Sequence, residues 1–167
     1  MNIPLSNDQI DKALKIDNSY IVKYSELDSV STLAELFGTK SFIILLIEQE
    51  HNSGHWVTFY RTGESSYVYF NSFGKKYDSD LSLIGRLSNK ILGNDYNSIQ
   101  KLIQPTDKVE WNHIKYQGFK SSVCGRYCIV FVRKMREGLT LKEVQSFLKQ
   151  NKKTSFDELI LDLTSDV

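Results

Sequence analysis

The segment Val-Cys-Gly-Arg-Tyr-Cys, residues 123–128, holds both cysteines of this 167-residue chain. Two thiols four positions apart invite three kinds of chemistry. A disulfide is disfavoured, because on a helix Cys124 and Cys128 point the same way and the bond's geometry is strict. A zinc site exists on paper: "HNSGH" places His51 and His55 four apart, matching the cysteine spacing. Structural zinc sites use tighter cysteine pairs, however, and a domain of this size folds without a metal, so no metal is expected. The third chemistry is nucleophilic. Cys124 stands where a helix begins, and there unpaired N–H groups and the helix dipole favour a thiolate. Gly125 leaves room for a substrate backbone, and Cys128, one turn on, serves as a small buried hydrophobe. Taken alone, Cys-Gly fits a buried core cysteine better than a nucleophile.

A cysteine nucleophile needs a base and a group that orients the base. His55 opens a strand between Gly54 and Trp56 and is the best base. His51 falls in the turn "QEHNSG" as a solvated residue, and His113 falls in a strand with a structural role. Asn71 ends the strand expected to pair with that of His55, where its amide oxygen can accept from Nδ1–H and fix the ring's tautomer. Gln117, seven residues before Cys124, can donate its amide to a developing oxyanion together with the Cys124 backbone N–H. Glu64 and Asp78 are substitutes should Asn71 merely end a strand. Trp56 is expected to wall the cleft or to pack in the core.

These residues require a scaffold. Ser6 or Asn7 can cap a helix over "DQIDKALK", and Ser31 or Thr32 another over "LAELFG" with Gly38 as its stop. "SFIILLIEQ" is a buried strand, and "HWVTFYRT" and "SYVYFNSF" alternate across "TGES" as a hairpin. "SDLSLIGRLSNKIL" spaces apolar residues at 81, 84, 87 and 91 as an amphipathic helix, followed by "YNSIQKLI" up to Pro105. "VEWNHIKYQ" is a further strand. "CGRYCIVFVRKMREG" is a mostly buried helix closed by Gly138. "TLKEVQSFLKQN", with Thr140 and Glu143 as a capping box, and "TSFDELILDLTS" are two more. Strands in the middle and helices at both ends give an α+β fold, a central mixed sheet flanked by helices.

Composition bounds the rest. Residues 1–167 suit a single domain with a real core. A net charge of +1 gives no global field toward nucleic acid or acidic lipid. The longest apolar run, "FIILLI", is too short to span a bilayer, so no membrane partner is expected. The start "MNIPLSNDQI" has neither the charged nor the apolar region of a signal peptide. With so few cysteines, this points to a reducing compartment. Arg133, Lys134, Arg136, Lys149, Lys152 and Lys153 crowd the last third and read as a solvated helix surface.

In order, "GHWVTFY", "YVYFNSFG" and "YQGFKSSVCGRYCIVF" resemble the adenovirus-type maturation proteases and the related SUMO-protease clan of cysteine peptidases. His55-Trp56, Phe70-Asn71-Ser72, Gln117 and Cys124-Gly125 match that family's motifs over roughly residues 42–135, and the short chain is similar to the viral branch with its small virophage proteases. The resemblance implies a papain-like catalytic core and a cysteine endopeptidase with Cys124, His55, Asn71 and Gln117 as catalytic residues. It implies Trp56 and Gly125 as substrate-binding residues and no cofactor. Its substrates would be viral capsid or core precursors cut at Gly-containing sites, in the virion or host cytoplasm, by a monomer with DNA as a possible activating surface. Asn71 departs from the family's usual Asp or Glu. It can orient an imidazole but cannot stabilise an imidazolium by charge. With no third cysteine, a tethered activating peptide is not expected. Rival readings are a deubiquitinase or SUMO-type isopeptidase, a remoter acetyltransferase, and a non-catalytic interaction module that keeps the fold.

Overall fold

The computed structural model describes residues 3–51, 53–79, 81, 86–94 and 97–167, with the backbone alone at 86 and 87. Five strands form one mixed sheet in sequence order: β1 (Ile21–Lys23), β2 (Phe42–Glu50), β3 (Ser53–Gly63), β4 (Ser66–Phe70) and β5 (Lys108–Trp111). β2, β3 and β4 are antiparallel neighbours, while β1 joins β2 and β5 joins β4 in parallel. Helices cover both faces, which explains why β2 is an unbroken apolar run rather than an alternating one. Ile44 and Leu46 face one core, and Ile43, Leu45 and Ile47 the other.

The first core packs α1 (Asn7–Leu14), α5 (Cys124–Arg136), α6 (Leu141–Asn151) and α7 (Phe156–Leu163) against the sheet. Phe131 of α5 anchors it, stacked on Phe70 at 4.4 Å and edge-on to Tyr60 at 6.4 Å. The second core packs short elements, including α2 (Leu33–Phe37) and α4 (Ser98–Leu102), against the opposite face. Between α2 and α4 in the chain lies α3 (Arg86–Leu92).

The expected helix starts hold. Ser6 with Gln9 and Thr140 with Glu143 form capping boxes, and Thr32 caps α2. The helix expected over residues 79–92 lies partly outside the described residues. The described helix begins at Arg86, and Ile91, placed on the apolar stripe by spacing, is 76% exposed. The strand expected over "VEWNHIKYQ" ends at Trp111, so His113 lies beyond it, exposed, its ring 4.9 Å from that of Trp111.

Several basic residues of the last third are engaged within the fold. Arg133 pairs with Asp166, Lys134 with Glu137, Arg136 donates to the Leu14 carbonyl, and Lys152 lies over the Phe156 ring. Among the described residues no helix is long and apolar enough to cross a membrane.

Candidate active site

β3 begins and β4 ends beside the start of α5, and the candidate residues meet at that junction. His55 sits on β3 and is paired with Ile47 of β2. Its neighbour Gly54 permits this close pairing, since a Cβ there would come within 2.0 Å of the Ile47 carbonyl oxygen. His55 Nε2 lies 2.8 Å from Asn71 Oδ1. This corrects the expectation that Nδ1 faces Asn71. With Nε2 engaged, Nδ1 is the ring nitrogen left for Cys124, whose sulfur shares a hydrogen bond with His55. Phe73 closes one side of the imidazole at 4.8 Å.

Cys124 is the first residue of α5, and Val123 before it provides no side-chain cap. Of the helix's leading N–H groups, that of Gly125 reaches the sulfur. Burial alone pushes the thiol up, but the hydrogen bond and charge of His55, with the backbone N–H groups of Trp56 and Gly125, bring it below its ordinary value. Cys128, one turn deeper, shows the opposite effect. It is fully enclosed, and burial pushes its thiol well above the usual range. Both cysteines are free. Among the described residues no group of three or more His, Cys, Asp or Glu converges to hold a metal ion, and His51 is exposed in the turn before β3. The two-cysteine, two-histidine set is thus not assembled.

Asn71 is completely buried and held from several directions. Its Oδ1 also accepts from the Phe73 backbone N–H at 2.9 Å. Its own backbone N–H donates to Asn112 Oδ1 at 2.8 Å, and its carbonyl accepts from Asn112 Nδ2 at 2.6 Å. Asn112 is itself buried and directly follows β5, so its side-chain amide extends the parallel β4–β5 ladder by one step where the backbone leaves it. Sequence reasoning missed Asn112. Its one signal was position, a polar residue just past a strand that runs beside that of Asn71.

Gln117 is also buried. Its Oε1 accepts from Ser72 Oγ at 2.6 Å, and its Nε2 donates to the Ser121 carbonyl at 2.7 Å. Nε2 carries two hydrogens, so one remains beyond the Ser121 bond. The Ser72 carbonyl accepts from the backbone N–H groups of both Tyr116 and Gln117. Gly74, at φ +71°, completes the contact between the two loops, for any Cβ there would meet the Ile114 carbonyl carbon at 2.6 Å.

Cys124, His55 and Gln117 open onto a cleft of about 580 Å³, also lined by Phe73 and Phe119. A second depression of about 380 Å³ adjoins it, sharing Pro4, Ser53 and Gly54 and lined by Trp56. Trp56 is largely buried, its Nε1 donating to the Leu5 carbonyl at 3.2 Å. It thus packs in the core and walls the adjoining depression rather than the cleft that holds Cys124. Gly125 does not line the cleft. It is buried, and a Cβ there would press on Leu5 at 3.2 Å and on Ile10 and Trp56 at 3.4 Å. Its small size serves packing beneath the N-terminal segment, which corrects its assignment to substrate approach. Glu64 sits in the turn at the far end of the β3–β4 hairpin. Asp78 is bonded to Tyr24 and to the N–H groups of Ile99 and Gln100.

No family model matches the sequence. The chain is 27% identical over 168 residues to the uncharacterized protein V9 of Sputnik virophage, covering 97% of this chain and 94% of that protein. Among solved structures it is similar to the ASFV pS273R protease, with a TM-score of 0.52 and 15% identity. That match covers 96% of this chain, which spans 66% of the length of the ASFV protease chain. The central domain of the uncharacterized Lpg1148 protein from Legionella pneumophila superposes with a TM-score of 0.48 and 12% identity, over 98% of this chain and 94% of that one. The α+β fold, with its mixed sheet between helices, is therefore one that a viral protease also uses.

Proposed function

We propose that this chain is a cysteine endopeptidase. The observation that carries the reading is the continuous chain from Asn71 through His55 to Cys124, with the sulfur at an uncapped helix start and facing an open cleft. A lowered thiol against a buried background is what a nucleophile requires, and Cys128 in the same helix lacks it. The Cys124 thiolate attacks the scissile carbonyl. Gln117 and the Cys124 backbone N–H stabilise the oxyanion. His55 protonates the leaving amine, and water then clears the acyl-enzyme.

The likeness to a virophage protein and the fold shared with a viral protease support a viral setting, with capsid or core precursors as substrates in the virion or host cytoplasm. Trp56, walling the depression that adjoins the cleft, supports a preference for glycine near the scissile bond, as the resemblance implies. DNA as an activating surface would fall chiefly to Lys149 and Lys153, the two of the six basic residues named from the sequence that lie outside the contacts described above.

The test is labelling by a thiol-reactive activity probe, located by mass spectrometry, alongside cleavage of Gly-containing peptides, an isopeptide-linked substrate and candidate capsid precursors. Labelling at Cys124 with new N-termini after Gly supports the reading. A chain that neither labels at Cys124 nor cleaves is a non-catalytic module.

A further inference from the structure

We propose, on the peptidase reading of the same cleft, that it selects polypeptides carrying an acidic side chain within a few residues of the scissile bond, with Lys75 and Lys115 as the specificity-determining residues. Both lysines line the cleft that holds Cys124 and His55, and no Asp or Glu among the described residues lines it. The whole chain has 21 basic against 20 acidic residues, so a cleft of one sign is a local feature rather than a reflection of composition. The depression over Trp56 has the opposite character, with Asp8 as its charged lining residue. The groove is therefore polarised along its length, and such a field fixes the direction in which a charged peptide lies.

The two lysines are held on rigid rims. Lys75 follows Gly74, and Lys115 follows Ile114, in the two loops that the close approach of Gly74 to Ile114 locks together. Among the described residues neither lysine is in an ion pair. Lys115 Nζ stands 5.9 Å from the rings of both Phe73 and Phe119, which places its charge at the cleft mouth. The adjacent Lys76 instead lies over Tyr77 and Trp111, outside the cleft lining. Phe119 is 86% exposed, so the rim pairs a cation with bare aromatic surface. That combination accepts a carboxylate together with the aliphatic stem that carries it.

The test separates recognition from catalysis by measuring binding to the Cys124→Ala chain. Fluorescein-labelled nonapeptides with Gly-Gly at the centre carry Glu, Gln or Lys at each flanking position in turn, and fluorescence anisotropy gives Kd. At one or more positions the Glu peptide is expected to bind about five- to tenfold tighter than its Gln counterpart, the yield of two partly exposed ion pairs. The advantage should shrink in 0.5 M salt. It should vanish in Lys75→Gln/Lys115→Gln and pass to the Lys peptide in Lys75→Glu/Lys115→Glu. Equal affinity of Glu and Gln peptides at every position overturns the proposal. So does a preference that survives both double variants, or displacement of the peptide by a short single-stranded oligonucleotide, which marks the lysines as a nucleic-acid surface. Probe labelling of the wild-type thiol is scored separately. An acidic preference without labelling overturns the peptidase reading and keeps the recognition.

Discussion

Replacing Asn71 by Asp places a full charge where the fold holds a neutral amide. Asn71 Oδ1 is 2.8 Å from His55 Nε2, so a carboxylate would sit about 4 Å from the centre of an imidazolium charge. At an effective dielectric near 20 that attraction is about 4 kcal/mol, and opposite charges at such range move a pKa by roughly 1–3 units. The sign is unambiguous. A nearby anion stabilises the protonated imidazole, so His55 keeps its proton to higher pH. The high-pH limb of kcat/KM, where the thiolate–imidazolium pair is lost, should move up by about 1–2 pH units. Burial of the new carboxylate should cost stability, most where His55 is neutral and leaves it unpaired.

Asn71→Ala serves as the reference. It strips the acceptor from both His55 and the Phe73 N–H, leaving buried donors unmatched at about 1–3 kcal/mol, or roughly ten- to a hundredfold in rate if the loss falls on the transition state. The assay is kcat/KM against pH on a Gly-containing peptide for wild type, Ala and Asp, with thermal melts to confirm folding. An Ala variant with unchanged kcat, together with an Asp variant whose profile has not moved, would refute the assignment of Asn71 to His55.

Cys124→Ala should abolish cleavage without lowering Tm, whereas Cys128→Ala should keep most activity and cost about 1 kcal/mol in a denaturant melt through lost packing. Asn112→Ala removes both bonds that clamp the Asn71 backbone. It should cost about 1–3 kcal/mol of stability and lower kcat more than KM, and an unchanged kcat in the folded variant would leave Asn112 a purely structural residue. Gln117→Ala should lower kcat about a hundredfold with KM little changed. Ser72→Ala, which frees the Gln117 amide to rotate, should show a smaller loss in the same direction, and equal kcat in all three chains would remove Gln117 from the oxyanion site.

The sequence made the candidate site legible where residue type and position act together. Cys124 before an apolar helix, His55 opening an aromatic strand and Asn71 closing the next one are each located by local rules of caps, alternation and strand ends. What it concealed depends on tertiary contact. The three-residue β1 is too short for any periodicity to reveal. The strand after residue 107 looks longer than it is, because Ile114 and Tyr116 continue the supply of strand-favouring residues past the point where the Asn112 side chain replaces backbone pairing. The ring nitrogen facing Asn71 is set by the direction from which β4 approaches, which no spacing encodes. Gly125 was misread because Cys-Gly gives no hint that Leu5, more than a hundred residues away in sequence, lies over the helix start.

The end of β4 explains why so few residues suffice to organise the site. Three consecutive side chains do three different jobs. Phe70 stacks on Phe131 and fixes α5 against the sheet, Asn71 holds His55, and Ser72 orients Gln117. Because the chain leaves the strand after Phe70 and turns at Ser72, one short segment can reach the helix layer and the adjoining loops at once. Asn112 and the Ser72 carbonyl then tie that segment to the 112–117 loop, so the proposed base His55 and the proposed oxyanion donor Gln117 share one support. The proposed nucleophile Cys124 reaches the same point on α5, which the Phe70–Phe131 stack ties to that segment and whose sulfur the Trp56 N–H of β3 meets. Pre-organisation of this kind matters because misplacing reacting groups by about 1 Å can cost a hundredfold in rate. On the proposed peptidase reading, the polar bonds at the junction contribute to catalysis through geometry, and a core contact such as Phe70 on Phe131 belongs to the candidate site as much as to the fold.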